Sequence, residues 1–270
     1  MVFRLLLGVG FVFSFLLWPL GADEPCWNGP NPCYVAPGLV NSADYLAGEL
    51  APGSIATLFG TGLSYDTYTL TAAEIAGGML PTSIASSGVH VLAGNLLAPV
   101  LYVSPKQINF IVPSNLLAGP IRVQVVRDAL AGPPLTVNLK PAAPALFQLD
   151  ARTAIAQRPD GSLYTEAAPA RPGDWVTLYA EGLGPTIPPL LYLEVPQTAL
   201  WIAAFAQLRI LLNGVAVDQS AIGYAGVAPG FGGLNQINLR LPSGFAADPQ
   251  IQISLEGDTS PPGITIPAQP

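Results

Sequence analysis

Charge is the first thing this chain of 270 residues lacks. Only 10% of its residues are charged, against about 25% in an ordinary soluble domain. Half of the chain is hydrophobic, and sparse charge with abundant apolar side chains is the reverse of a disordered composition. Lysine is nearly missing, with only Lys106 and Lys140, and the formal net charge is −7. A chain so poor in cations does not attract phosphate backbones, so nucleic acid is excluded as a partner. Histidine occurs once, at His90. No second histidine can join it at a metal, and a hydrolase needs a base matched to its nucleophile. Cysteine occurs twice, at Cys26 and Cys33. Helix-friendly composition is also missing, because 28 glycines and 29 prolines do not fit inside helices at about 1 to 3 kcal/mol each. Many short strands joined by Pro/Gly turns remain.

The amino terminus reads as an export signal. Arg4 is a short basic region, residues 5–17 are apolar, and Gly21-Ala22 offers small residues before Asp23-Glu24. This predicts a signal peptide over 1–22 with cleavage after Ala22, the rival being an uncleaved anchor. The run is short for a span, which needs about 20 residues. No later stretch reads as one, since Glu194, Pro196, Gln197 and Arg209 interrupt the most apolar segment, 190–212. Secretion, to the periplasm or the cell surface, favours oxidised thiols, and Asn28-Gly-Pro-Asn-Pro32 is turn chemistry. A Cys26–Cys33 disulfide closing a small loop is therefore expected.

A repeat organises the rest. Residues 52–63, Pro-Gly-Ser-Ile-Ala-Thr-Leu-Phe-Gly-Thr-Gly-Leu, match residues 172–183, Pro-Gly-Asp-Trp-Val-Thr-Leu-Tyr-Ala-Glu-Gly-Leu, at six of twelve positions. Gln107-Ile-Asn109 recurs as Gln236-Ile-Asn238, and a strictly alternating segment follows each. Alternation places Ile121, Val123 and Val125 on one face, and Ile251, Ile253 and Leu255 on another. Trp175 and Tyr179, with their counterparts Ile55 and Phe59, share a face at spacing that suggests core. Pro113 and Pro242 stop strands. Gly62 and Gly182 mark turns that disfavour a Cβ. Asn213-Gly214 and Asp160-Gly161 are hairpin tips. The expectation is an all-β chain of two tandem immunoglobulin-like sandwiches. The first occupies 46–141 and the second 171–267, after an amino-terminal segment over 23–45 and with a linker and small hairpin over 142–170.

The opening Gly38-Leu-Val-Asn-Ser-Ala-Asp-Tyr45 bears on family. So do Ala98-Pro-Val-Leu-Tyr-Val-Ser-Pro-Lys-Gln-Ile-Asn-Phe-Ile-Val-Pro113, Leu178-Tyr-Ala-Glu-Gly-Leu-Gly-Pro185 and Ala225-Gly-Val-Ala-Pro-Gly-Phe231. In this order they resemble the uncharacterised Solibacter-type C-terminal domain of secreted acidobacterial proteins, over about residues 36–267. Each copy also resembles an IPT/TIG module. The resemblance implies an immunoglobulin-like fold at the cell surface and carries no catalytic residues.

Chemistry is thin. There is no Gly-x-Ser-x-Gly, no His-Glu-x-x-His and no phosphate-cradling loop, so no catalytic, cofactor or metal residue is assigned. Glu49, Glu181 and Glu194 could contain a glycosidase pair only by chance among 17 acids. Two surfaces stand out. Tyr65 and Tyr68 lie in an exposed loop, where rings offer flat apolar faces with polar rims. Trp201, Ile202 and Phe205 form an apolar patch that marks a contact site if exposed, and otherwise packs under a loop or between the domains. The leading expectation is a non-enzymatic structural or adhesive module whose partner is a cell-surface protein or polysaccharide. The rival is a carbohydrate-binding module using Tyr65, Tyr68 and Trp201.

Overall fold

The computed structural model describes residues 29–75 and 77–270. Residues 1–22, the expected signal, and Cys26 of the expected disulfide lie outside the described residues. The described chain is all-β, its helical elements being 3-10 turns of three residues each. The first ten strands are β1 Leu39–Asn41, β2 Ile55–Phe59, β3 Tyr68–Thr69, β4 Val89–Ala93, β5 Leu96–Leu97, β6 Val100–Val103, β7 Gln107–Ile111, β8 Gly119–Arg127, β9 Leu130–Ala131 and β10 Leu135–Leu139. They form an antiparallel sheet of order β1-β2-β7-β6-β3 facing another of order β10-β8-β4-β5, with β9 on β8. Alternating residues of both sheets, among them Leu58, Ile108, Val91, Val123 and Val125, fill one core, as expected for half-buried strands.

The second sandwich holds β11 Ala145–Leu146, β12 Ala156–Gln157, β13 Trp175–Glu181, β14 Thr186–Ile187, β15 Leu200–Ile202, β16 Arg209–Leu212, β17 Val215–Ala216, β18 Ile222–Val227, β19 Asn235–Arg240, β20 Ile251–Leu255 and β21 Asp258–Thr259. Its sheets run β11-β13-β19-β18-β15-β14, with β12 also on β13, and β17-β16-β20-β21. Leu178, Ile237, Ile210, Ile251 and Ile253 are in its core.

The sequence repeat is a structural repeat down to register. Leu58 pairs with Ile108 and Thr57 with Asn109; their counterparts Leu178 and Thr177 pair with Ile237 and Asn238. The side chains repeat as well. Thr57 Oγ1 donates to Asn109 Oδ1 at 3.1 Å and Thr177 Oγ1 to Asn238 Oδ1 at 3.2 Å. Gln107 Nε2 and Gln236 Nε2 each donate to the asparagine two residues on, both at 2.8 Å. The Gln-x-Asn motif thus satisfies itself along one strand face and leaves the intervening isoleucine for the core. A register irregularity falls between Val100 and Tyr102 in one copy and between Ile222 and Tyr224 in the other.

The copies diverge at one sheet edge. The first places β10 along β8. The second covers β20 with a looser segment, through Ile251 N–H to Ile264 O at 2.8 Å and a Gln250–Thr265 bridge.

The unit boundaries shift from those expected. The first sandwich begins before residue 46, because Tyr34 and Leu39 are buried in its core. The Tyr34 hydroxyl accepts from Val125 N–H at 2.7 Å, and burial pushes its phenol up to about 12. The segment over 142–170 is not a free linker. β11 and β12 pair with β13, and Ala142, Leu146, Ala154 and Tyr164 enter the second core. The Asp160-Gly161 hairpin forms as expected, closed by Arg158 N–H to Ser162 O at 2.8 Å.

The expected core face of β13 is also corrected. Val176, Leu178 and Ala180 point into the second core. Tyr179 lies in a separate cluster between the sandwiches, and Trp175 is 41% exposed. Four-residue spacing shows a shared face but cannot say which face is inside. That depends on the partner sheet, which carries Ile210 and Ile253 on the Val176 side.

Candidate functional site: the junction between the sandwiches

The two sandwiches meet around a third apolar cluster. Ala43 comes from the first; Ala145, Phe147, Ile155, Tyr179, Ala228 and Leu234 come from the second, with Ile55 and Phe231 packed against them. Gly232 and Gly233 bring the second sandwich's loop onto β2 and β7. A Cβ on Gly233 would lie 2.8 Å from Ile55 Cγ1, and one on Gly232 would lie 2.5 Å from Leu80 Cδ1. A side chain at either position would have to push these neighbours aside, and Gly233 also has a φ of +80°, which favours glycine.

Glu181 lies at the centre of the junction. It ends β13, is fully buried, and reaches across to the first sandwich. One carboxyl oxygen accepts from Ser42 N–H at 3.1 Å and the other from Ile55 N–H at 3.0 Å. Burial drives its pKa well above the usual carboxylate range, and nearby Asp44 adds to this; the N–H groups of Ile55, Ser42 and Ala43 oppose it. Burial raises Asp44 and Tyr45 too, and the Glu181 charge adds to the rise at Tyr45.

Two further ties flank the carboxyl. Residues 190–195, from the apolar segment, form a strap laid along the first sandwich. Leu80 N–H donates to Leu193 O and Val195 N–H to Gly78 O, both at 2.8 Å. Tyr192 OH bonds the Leu97 carbonyl, and Val195 is buried in the first core. On another side, Lys140 Nζ bridges Glu49 at 2.5 Å and Asp258 at 2.9 Å, joining the two sandwiches through one cation. An apolar cleft of about 60 Å³ remains beside the strap, lined by Pro52, Pro113, Pro185, Tyr192 and others.

The aromatic candidates are dispersed. Tyr65 is 61% exposed, with the Arg127 guanidinium 4.2 Å from its ring centre. Tyr68 is half-buried against the first core. On the second sandwich, Trp201 keeps an exposed edge and meets Phe205 and Tyr224 edge-on at 4.9 and 5.1 Å. Ile202 is buried in the second core, and Phe205 packs against it. The expected Trp201, Ile202, Phe205 patch is therefore reduced to Trp201, because alternation on β15 turns Leu200 and Ile202 inward.

No protein-family profile and no curated protein matches the chain. Among solved structures it is similar to the surface glycan-binding protein PbSGBP-B from Prevotella bryantii, at 13% identity and a TM-score of 0.25, over 85% of this chain and 40% of that one. It is similar to the SGBP-B of the Bacteroides ovatus mixed-linkage glucan utilization locus at 11% identity and a TM-score of 0.33, over 90% and 46%. It is also similar to the Escherichia coli adhesin FdeC at 14% identity and a TM-score of 0.26, over 86% and 63%. The chain spans less than half the length of the two glycan-binding proteins. At these scores the likeness is one of β architecture alone.

The three glutamates weighed as a glycosidase pair are committed to different partners: Glu49 to Lys140, Glu181 to Ser42 and Ile55, and Glu194 to Leu191 N–H. His90 is half-buried on β4, its Nδ1 3.2 Å from Thr82 O. Among the described residues no cluster of three potential metal ligands occurs, and no helix is long and apolar enough to cross a membrane. Cys33 pairs by backbone with Thr61, Cys33 N–H to Thr61 O at 3.0 Å and the reverse at 2.8 Å. Sequence reasoning missed the role of Glu181. The signal was present: the aligned position of the first copy is Thr61, so the two copies differ by a neutral residue against a carboxylate at this position.

Proposed function

We propose that the chain is an exported, non-enzymatic structural or adhesive module that presents its loops and sheet edges from a rigid double-sandwich body. The observation that supports it is the junction. A buried carboxyl, a lysine bridge, a strap and an apolar cluster hold the two units in one orientation, whereas adjoining domains ordinarily move against each other. A rigid pair of sandwiches suits spacing and presentation. The block order shared with the Solibacter-type domain and the export-like amino terminus favour the cell surface. The test is twofold. Small-angle scattering should fit one fixed arrangement, and surface labelling of intact producing cells should modify the protein. Hydrolysis of a polysaccharide, ester or peptide, abolished by one acid substitution, would overturn the reading.

A second reading is a carbohydrate-binding module, favoured by the exposed ring of Tyr65, held in place by Arg127. A glycan array on wild type and Tyr65→Ala separates the two readings.

A further inference from the structure

The duplication provides an internal control for the surface around Trp175. Its first-copy counterpart is Ile55, which packs at the junction. The neighbours have changed together. Arg240 stands where the first copy has Ile111, Arg171 where it has Ala51, Asp174 where it has Ser54, and Gly223 where it has Leu101. A position that takes protein contact in one copy has become polar and aromatic in the other.

The geometry is that of a supported ring. Trp175 and Arg240 are cross-strand partners of β13 and β19. The indole lies over Gly223, where a Cβ would come within 2.8 Å of its ring carbons. Glycine on the neighbouring strand thus makes room for the ring beside the sheet, and 41% of the residue stays open to solvent. Arg240 Nε bonds Gly173 O at 3.3 Å. Asp174 accepts from Arg171 N–H at 2.8 Å. Tyr164 OH donates to Trp175 O at 3.1 Å, and the Arg158 guanidinium lies 4.0 Å from the Tyr164 ring centre. The Arg240 side chain therefore stands beside an exposed indole in a protein of net charge −7, while the Arg171 guanidinium bonds the Pro270 carbonyl at 3.2 Å.

We infer that this is a binding site for an anionic polysaccharide of the uronate type. The open indole face packs against the C–H face of a sugar ring, as apolar rings with polar rims do. Arg240 takes the carboxylate, with guanidinium geometry suited to it. A rigid double-sandwich body needs no such site, so failure of this inference leaves the proposed function standing. The Tyr65 reading is tested by a different variant.

The experiment is affinity electrophoresis and calorimetry of the purified full chain with polygalacturonate, and with the same polymer after carboxyl reduction. Binding to the first that weakens as salt rises, with little to the second, is expected. Trp175→Ala should weaken binding about three- to tenfold, and Arg240→Gln by a similar factor, whereas Leu117→Ala, at an exposed residue of the first sandwich, should leave it unchanged. Trp175→Phe keeps a ring over Gly223 and should retain part of the binding. It guards, with a melting curve for each variant, against a fold defect in Trp175→Ala. No binding by the wild type, equal binding of the reduced polymer, equal binding of polyglutamate, or indifference to both Trp175→Ala and Arg240→Gln would each overturn the inference.

Discussion

Removing the buried carboxyl of Glu181 tests the junction directly. In Glu181→Ala, the N–H groups of Ser42 and Ile55 lose their acceptors in a buried site. Each orphaned group costs about 1–3 kcal/mol, so the variant should be destabilised by about 2–6 kcal/mol. The pH dependence carries a sign. Burial raises the Glu181 pKa in the folded chain well above its ordinary value, so the folded state holds this proton more tightly than the unfolded state does. Its contribution is complete below the unfolded carboxylate range and declines as pH climbs through the raised folded value. Glu181→Gln stays neutral and retains one acceptor oxygen. It should be less stable than wild type in acid, by about 1–2 kcal/mol for one lost hydrogen bond, and the gap should narrow as pH rises. Other carboxylates, such as Glu74, are pulled below their usual range by hydrogen bonds and act in the opposite direction, so the difference between wild type and Glu181→Gln is the quantity to follow. Urea denaturation of both proteins across pH 4.5 to 8 measures it. A gap that widens with pH, or a Glu181→Ala cost below about 0.5 kcal/mol, would refute the reasoning.

Two other perturbations separate backbone from electrostatic effects. Gly182 has φ +72°, and a Cβ there would lie 1.9 Å from the Ala143 carbonyl oxygen. Gly182→Ala should cost more than about 3 kcal/mol, while Gly214→Ala, at φ +79° with open space around it, should cost about 1 kcal/mol; thermal melts of the pair give the contrast. Lys140→Met removes a partly exposed bridge between Glu49 and Asp258. Its cost should be under about 1 kcal/mol and shrink further in high salt, so a salt-independent loss above 2 kcal/mol would show the bridge to be stronger than a surface pair.

Much of this architecture follows from short-range rules that a sequence displays openly. Alternation in 121–126 and 250–255, the self-satisfying Gln-x-Asn pairs, and the glycines at 62 and 182 depend on neighbours a few residues away or on a single strand partner, and the duplication writes each twice. The inward face of β13 was not legible, because Trp175/Tyr179 and Val176/Leu178 are both apolar pairs of the right spacing. Only the position of the opposing sheet separates them. The apolar 190–212 segment likewise resolved into a strap, a buried Ile202 and an exposed Trp201 once the first sandwich was beside it.

The amino-acid order by itself determined that this chain is two copies of one β unit, since period-two burial, proline stops and turn glycines are local constraints. Which surfaces those copies hide from water was decided by their docking. Burial of Glu181 depends on residues 139 and 126 positions away, and Trp175 is 41% exposed while its counterpart Ile55 packs at the junction. Burial is a property of the assembled shape, and a carboxyl or an indole carries no mark of it until distant segments meet.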